Sequence, residues 1–110
     1  MSPPGVCVLL FATAPDAATA PDGAASVAQA YHTISRELAG TPGLRRNALL
    51  ELVDSPGRFV VLSEWASLDE FRAWETGPDH RQVTAPLRPH QDRSAAAWFG
   101  VYHVAATYDG

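Results

Sequence analysis

One histidine and a group of aromatic side chains lie close together in the second half of the chain: Trp65, Phe71, Trp74 and His80, with Arg81 directly after the histidine. An unperturbed imidazole has a pKa of about 6.5, so His80 is the candidate general base or acid near neutral pH. Trp65 offers a broad stacking surface and one N–H donor, the means to hold a planar ligand. Arg46 and Arg81 are candidates for stabilising an enolate or phenolate through charge-assisted hydrogen bonds. Val61, Phe71, Trp74 and Tyr102 complete the set as candidate ligand contacts. Each of these side chains also has a plainer role open to it, as core aromatic, helix-start histidine or surface arginine.

Other chemistries are excluded by what the sequence lacks. There is no lysine among its 110 residues, which removes Schiff-base formation through a lysine amine. Cys7 is the single cysteine and sits in an apolar run, so no intrachain disulfide or thiolate metal cluster forms, and a buried core position is expected for it. No histidine–carboxylate group has metal-ligand spacing, and no glycine-rich loop precedes a helix. No metal or cofactor is therefore expected. A formal net charge of -4 without a basic stripe argues against a nucleic-acid partner. The 46% hydrophobic and 18% charged shares are ordinary for a globular protein, and no signal-peptide or membrane-spanning run is present. A cytoplasmic chain forming one domain over residues 1–110 is expected.

The elements that must position the candidates follow from periodicity. Residues 5–13 form a nearly continuous apolar run, the signature of a strand covered on both faces. Residues 13–23 mix Ala, Pro and Asp without periodicity and are expected to form a loop, placed to act as a lid. Over residues 24–38, Val27, Tyr31, Ile34 and Leu38 recur at helical steps, with His32 off that stripe. Gly40-Thr-Pro-Gly43 stops the helix. Residues 44–53 and 58–65 read as a hairpin closed by Asp54-Ser-Pro-Gly57. Strand alternation places Phe59, Val61, Ser63 and Trp65 on one face, and a four-residue loop would bring Arg46, Ala48, Leu50 and Leu52 to that same face.

Ser67-Leu-Asp-Glu70 is a capping box that opens a helix carrying Leu68, Phe71 and Trp74 inward. Pro78 is expected to open a second short helix with His80, Val83 and Leu87 on one face, and His90 to lie in a loop. Residues 95–106, with Trp98, Phe99, Val101, Tyr102 and Val104, read as the last strand, on which Tyr102 and His103 take opposite faces. The order β-α-β-β-α-(α)-β is that of an α+β, ferredoxin-like split βαβ with a four-stranded antiparallel sheet. Strands apolar on both faces require a cover on the side away from the helices. A homodimer packed sheet to sheet provides it.

Pro42-Gly43, Arg58-Phe-Val-Val-Leu-Ser-Glu-Trp65, Phe71-Arg-Ala-Trp74 and Pro78-Asp-His80-Arg81 together resemble the antibiotic biosynthesis monooxygenase family of dimeric α/β-barrel proteins. The resemblance covers about residues 42–88. It implies the ferredoxin-like fold, a dimer, and a pocket in each subunit between helices and sheet with Trp65 in its wall. Anthrone-oxidising members of aromatic polyketide pathways use molecular oxygen without metal or flavin, and their catalytic tryptophan matches Trp65. Their asparagine four residues before it and tyrosine six after it are Val61 and Phe71 here. The haem-degrading branch has an asparagine on the first strand and a histidine ten residues beyond the tryptophan that matches Trp74. Here that strand is apolar and the histidine position is Thr84, so haem is not expected.

The resemblance implies a cofactor-independent monooxygenase acting on an electron-rich aromatic, polyketide-type intermediate in secondary metabolism. Two alternatives stay open: a polyketide-type cyclase guided by acid and base groups on the same scaffold, and a small-molecule-binding dimer without catalysis. In all three the partner is a small aromatic molecule.

Overall fold

The computed structural model describes residues 5–14, 22–91 and 99–110. The expected lid loop falls largely on residues 15–21, and the start of the expected last strand, with Trp98, on residues 92–98. Both lie outside the described residues. The elements run β1 (Val6–Thr13), α1 (Asp22–Leu38), β2 (Leu44–Glu51), β3 (Arg58–Trp65), α2 (Leu68–Glu75), α3 (His80–Thr84), a 3-10 helix (Ala85–His90) and β4 (Phe99–His103). The sheet is antiparallel in the order β2-β3-β1-β4, the ferredoxin-like arrangement expected from the element order.

α1 turns its apolar stripe onto the sheet, where Val27, Ala30, Ile34 and Leu38 are buried. It ends where Gly40 takes a positive φ of 83° and the Thr41 amide donates to the Leu38 carbonyl at 3.0 Å. α2 begins at Ser67, whose Oγ accepts from the Glu70 amide at 3.1 Å, as the capping box predicts. α3 starts at His80 rather than at Pro78, which lies in the preceding turn, and His90 closes the 3-10 helix instead of lying in a loop.

Cross-strand pairing fixes which side chains look toward the helices. Val6, Val8, Leu10 and Ala12 of β1 stand opposite Trp65, Ser63, Val61 and Phe59 of β3, so all share the helix-side face. Cys7, Leu9, Phe11, Val60 and Leu62 occupy the other. Cys7 is thus not in the core between sheet and helices but half-buried on the open face. Burial first, then the Glu64 carboxylate, raise its thiol pKa, with Arg46 opposing.

The hairpin departs from expectation by one residue. The Leu52 amide donates to the Arg58 carbonyl at 2.9 Å, and two further turn bonds, Ser55 N–H to Leu52 O and Arg58 N–H to Ser55 O, both 3.2 Å, make the connection one residue longer than expected. Asn47 then pairs with Ser63, Leu49 with Val61 and Glu51 with Phe59, while Arg46 pairs with Glu64. Arg46, Ala48 and Leu50 therefore face away from Trp65, the reverse of the expected placement. An irregularity between Leu44 and Arg46 restores Leu44 to the position opposite Trp65.

Gly43 lets α2 sit close to the start of β2: its φ is 87°, its carbonyl accepts from the Ala66 amide at 2.7 Å, and a Cβ there would run into the Glu70 side chain. Gly40 has a similar φ but open space around it. A left-handed residue with a Cβ costs about 1–2 kcal/mol. Gly40→Ala should cost that much, and Gly43→Ala distinctly more, in urea unfolding. Equal losses would show that the contact with Glu70 yields without cost.

Candidate functional site

A cavity of about 260 Å³ opens between the sheet and the helices. Its floor is Val8, Leu10, Val61, Ser63, Trp65 and Asn47, with Phe99 from β4. Tyr31, Ile34, Ser35 and Leu38 of α1 form one side. Phe71, Trp74 and Glu75 of α2 meet His80, Thr84, Leu87 and Gln91 on the other.

The aromatic wall is built from the end of β3 outward. Trp65 is 1% exposed and stacks on Trp74 with centroids 5.4 Å apart and an interplanar angle of 30°. Phe71, also 1% exposed, meets the Trp65 ring edge-on at 5.4 Å. Phe71 and Trp74 lie three residues apart on α2, so one helical face delivers both against the tryptophan that ends the strand. Aromatic pairs of this kind contribute about 0.5–1.5 kcal/mol beyond their area burial.

His80 extends the wall. Its ring is T-shaped to Trp74 with centroids 4.3 Å apart. Its Nδ1 is buried without a hydrogen-bond partner among the described residues. Burial chiefly lowers its pKa, which favours the neutral imidazole; Glu75 opposes the shift and Arg88 adds to it. Glu75 is itself ion-paired to Arg72 at 2.7 Å. Thr84 Oγ1 donates to the His80 carbonyl at 2.9 Å, which fixes the turn that presents the ring. A neutral histidine with an unmet ring nitrogen, set in an apolar cavity, can accept a proton or a hydrogen bond from a ligand.

Five of the sequence candidates come together on this cavity: Val61, Trp65, Phe71, Trp74 and His80. Three do not. Arg46 lies on the opposite sheet face, paired with Glu64 at 3.2 Å, because of the one-residue register difference. Arg81 is exposed on α3, outside the lining. Tyr102 is 47% exposed and shares the face of Cys7, its strand partner, away from the helices. Sequence reasoning missed Asn47 and Ser35, whose Oγ donates to Asn47 Oδ1 at 3.1 Å, and gave no role to Ser63, which accepts from Trp65 Nε1 at 2.9 Å. Asn47 was legible only through the correct hairpin register, and Ser35 only through its neighbours Tyr31 and Ile34 on the inward face of α1.

Residues 17–85 match the family described as Antibiotic biosynthesis monooxygenase. Protein SchA of Streptomyces halstedii is 33% identical over 66 residues, which are 60% of this chain and 17% of that protein. A heme-degrading monooxygenase of Listeria monocytogenes is 27% identical over 75 residues, 68% of this chain and 44% of that protein. The chain thus matches less than half the length of either curated relative. Among solved structures, SnoaB, a cofactor-independent oxygenase from Streptomyces nogalater, superposes with a TM-score of 0.70 at 18% identity, covering 96% of this chain and 95% of that one. That likeness shows the fold.

The lowered His80 pKa sets a pH dependence. The unfolded chain takes up a proton near pH 6.5, while the folded state resists protonation until lower pH, so stability is held above 6.5 and lost as pH falls through the folded pKa. Urea unfolding at steps from pH 7 downward should show this loss in the unaltered protein, and His80→Gln should remove that part of it. Identical pH profiles for the two proteins would mean that His80 is not desolvated.

Proposed function

Because the chain belongs to the antibiotic biosynthesis monooxygenase family, we propose that it is a cofactor-independent monooxygenase for an electron-rich aromatic, polyketide-type substrate. The observation that carries this reading is the pairing of a planar aromatic wall with a desolvated histidine in one apolar cavity. Trp74, backed by the buried Trp65 ring, offers a ring surface, and His80 offers a base. At about 260 Å³ the cavity is near the small end of ligand pockets, which run from about 300 to 1,000 Å³, and suits a compact ring system better than a haem. The residues at the family's haem-binding positions agree with this: β1 presents Val6, Val8 and Leu10 inward, and the Thr84 hydroxyl is committed to its own helix.

In this mechanism His80 removes a proton from a benzylic CH₂ flanked by phenolic rings. The resulting carbanion gives one electron to oxygen, and the radical pair combines to a hydroperoxide. Loss of water leaves a ketone: one oxygen atom enters the product, the other leaves as water, and the substrate supplies all the electrons. The low polarity of the walls protects the carbanion from reprotonation by water.

A cyclase on the same scaffold is the second reading, favoured by Val61 and Phe71, which line the cavity as apolar side chains. There His80 would guide proton transfers within a folded substrate, without oxygen.

The open sheet face supports a homodimer. Leu9, Phe11, Val60 and Leu62 lie there half-buried, and Leu50 is 47% exposed. Burying such a face against a second copy removes apolar surface from water at about 25 cal/mol per Å². Leu62→Glu should convert a dimer to monomers in sedimentation equilibrium; a monomeric unaltered protein would refute the assembly.

Anthrone in air-saturated buffer should be consumed with one oxygen molecule per substrate, followed at an oxygen electrode. His80→Ala should lower kcat by about 10²–10⁴, the usual worth of a general base. Trp65→Phe should lower it by roughly tenfold, as the support behind Trp74 shrinks and the indole N–H that holds Ser63 is lost. Turnover without oxygen uptake would favour the cyclase. Full activity in both variants would place the chemistry elsewhere.

A further inference from the structure

The cavity floor carries two small polar side chains directly opposite one another on β2 and β3, Asn47 and Ser63. Each has an acceptor atom already engaged by a protein donor. The Trp65 indole N–H donates to Ser63 Oγ at 2.9 Å, and the Ser35 hydroxyl donates to Asn47 Oδ1 at 3.1 Å. An indole nitrogen can only donate, so Ser63 meets it as acceptor and keeps its own hydroxyl proton to give. A carboxamide whose oxygen is taken keeps two N–H donors. Among the described residues neither Ser63 O–H nor Asn47 Nδ2 donates to a protein acceptor, Asn47 Nδ2 is not a sealed, buried orphan, and both side chains line the cavity. Both therefore have the cavity to donate into.

Directly opposed residues on one face of an antiparallel pair have Cβ atoms about 4.5–5.5 Å apart, close enough for both donors to converge on one atom. The described lining contains no arginine, its histidine favours the neutral form, and its one carboxylate, Glu75, is ion-paired to Arg72. Negative charge that develops on a ligand oxygen here has fixed dipoles to meet it, which are most effective where water is excluded.

We propose that Ser63 Oγ–H and Asn47 Nδ2–H form a paired donor site for one enolate or phenolate oxygen of the ligand, with Trp65 and Ser35 as positioning residues. The inference rests on the reading of this cavity as the site for an electron-rich aromatic compound. It adds an orientation: the oxygen lies on the β2–β3 floor, and the acidic C–H points toward α3 and His80. It also gives Trp65 a second task, since its indole N–H turns the Ser63 proton away from the wall.

The test compares anthrone with 9,10-dihydroanthracene, the same rings without oxygen, bound to the intact protein under nitrogen. The unaltered protein should bind anthrone more tightly and shift its ionisation, read from the visible absorption of the anion, to lower pH than in buffer. Ser63→Ala and Asn47→Asp should each weaken anthrone binding by about tenfold to a hundredfold, raise the pH of ionisation, and leave dihydroanthracene affinity unchanged. Ser35→Ala should do the same to a smaller degree, and Ser63→Thr, which keeps the hydroxyl, should behave as the unaltered protein. Equal loss for both compounds, or loss for neither, overturns the donor pair. Donor-dependent anthrone binding without oxygen uptake sinks the monooxygenase reading and leaves the pair standing. Uptake that is undiminished in both Ser63→Ala and Asn47→Asp does the reverse. Failure of the unaltered protein to bind anthrone overturns both.

Discussion

The packing of Trp65 against Phe71 and Trp74 ties together parts of the molecule that the sheet alone would leave independent. Trp65 ends β3, opposite Val6 of β1 and Leu44 of β2, so its position is set by two ladders at once. α2 can dock only where its Phe71 and Trp74 meet that ring, and the Ser67 cap and close approach at Gly43 bring it there. Buried aromatic rings remove about 150–250 Å² each from water, which makes this cluster a large share of the apolar gain open to so small a chain. α3 follows, because His80 packs its ring against the edge of the same stack.

This arrangement has a cost. An unmet buried donor or acceptor typically costs about 1–3 kcal/mol, and His80 Nδ1 is such an atom among the described residues. Nothing in the packing requires a histidine there: an apolar side chain of similar size would fill the space without the penalty. The unpaired nitrogen is retained beside Trp74 and lines a cavity, where a ligand can supply the missing partner. Its neutral form is favoured for the same reason that its nitrogen is costly, its burial.

Much of the fold was legible because apolar periodicity and capping act locally. The α1 stripe from Val27 to Leu38, the Ser67 cap and the alternation along β3 each depend on a few neighbouring residues, and each is found as read. The face of β2 was not legible in the same way, because it depends on hairpin register. Asp54-Ser-Pro-Gly57 signals a turn but does not say that the ladder closes at Leu52 and Arg58. One residue of difference sends Arg46 outward and Asn47 inward, exchanging a charged site residue for a neutral amide. Tyr102, expected as a ligand contact, falls on the other face for a related reason: its side follows from the pairing of Cys7 with Tyr102, which the composition of the last strand does not specify.

The same register separates the charges of the β2–β3 pair from its neutral polar side chains. Arg46 and Glu64 meet each other at 3.2 Å on the open face, so two ionic groups that would disturb an apolar surface compensate one another within the chain. On the helix side, the positions next in sequence are Asn47 and Ser63, which carry dipoles and no net charge. An arginine in the cavity would stabilise an anionic ligand by itself and bind it before any proton had moved. Neutral donors discriminate differently: they hold a carbonyl moderately and the oxyanion more strongly, so the gain grows as the proton leaves carbon. On the proposed reading, in which a carbanion forms from a neutral substrate, that gradient serves better than a fixed positive charge, and the β2–β3 register that turns Asn47 rather than Arg46 inward is what provides it.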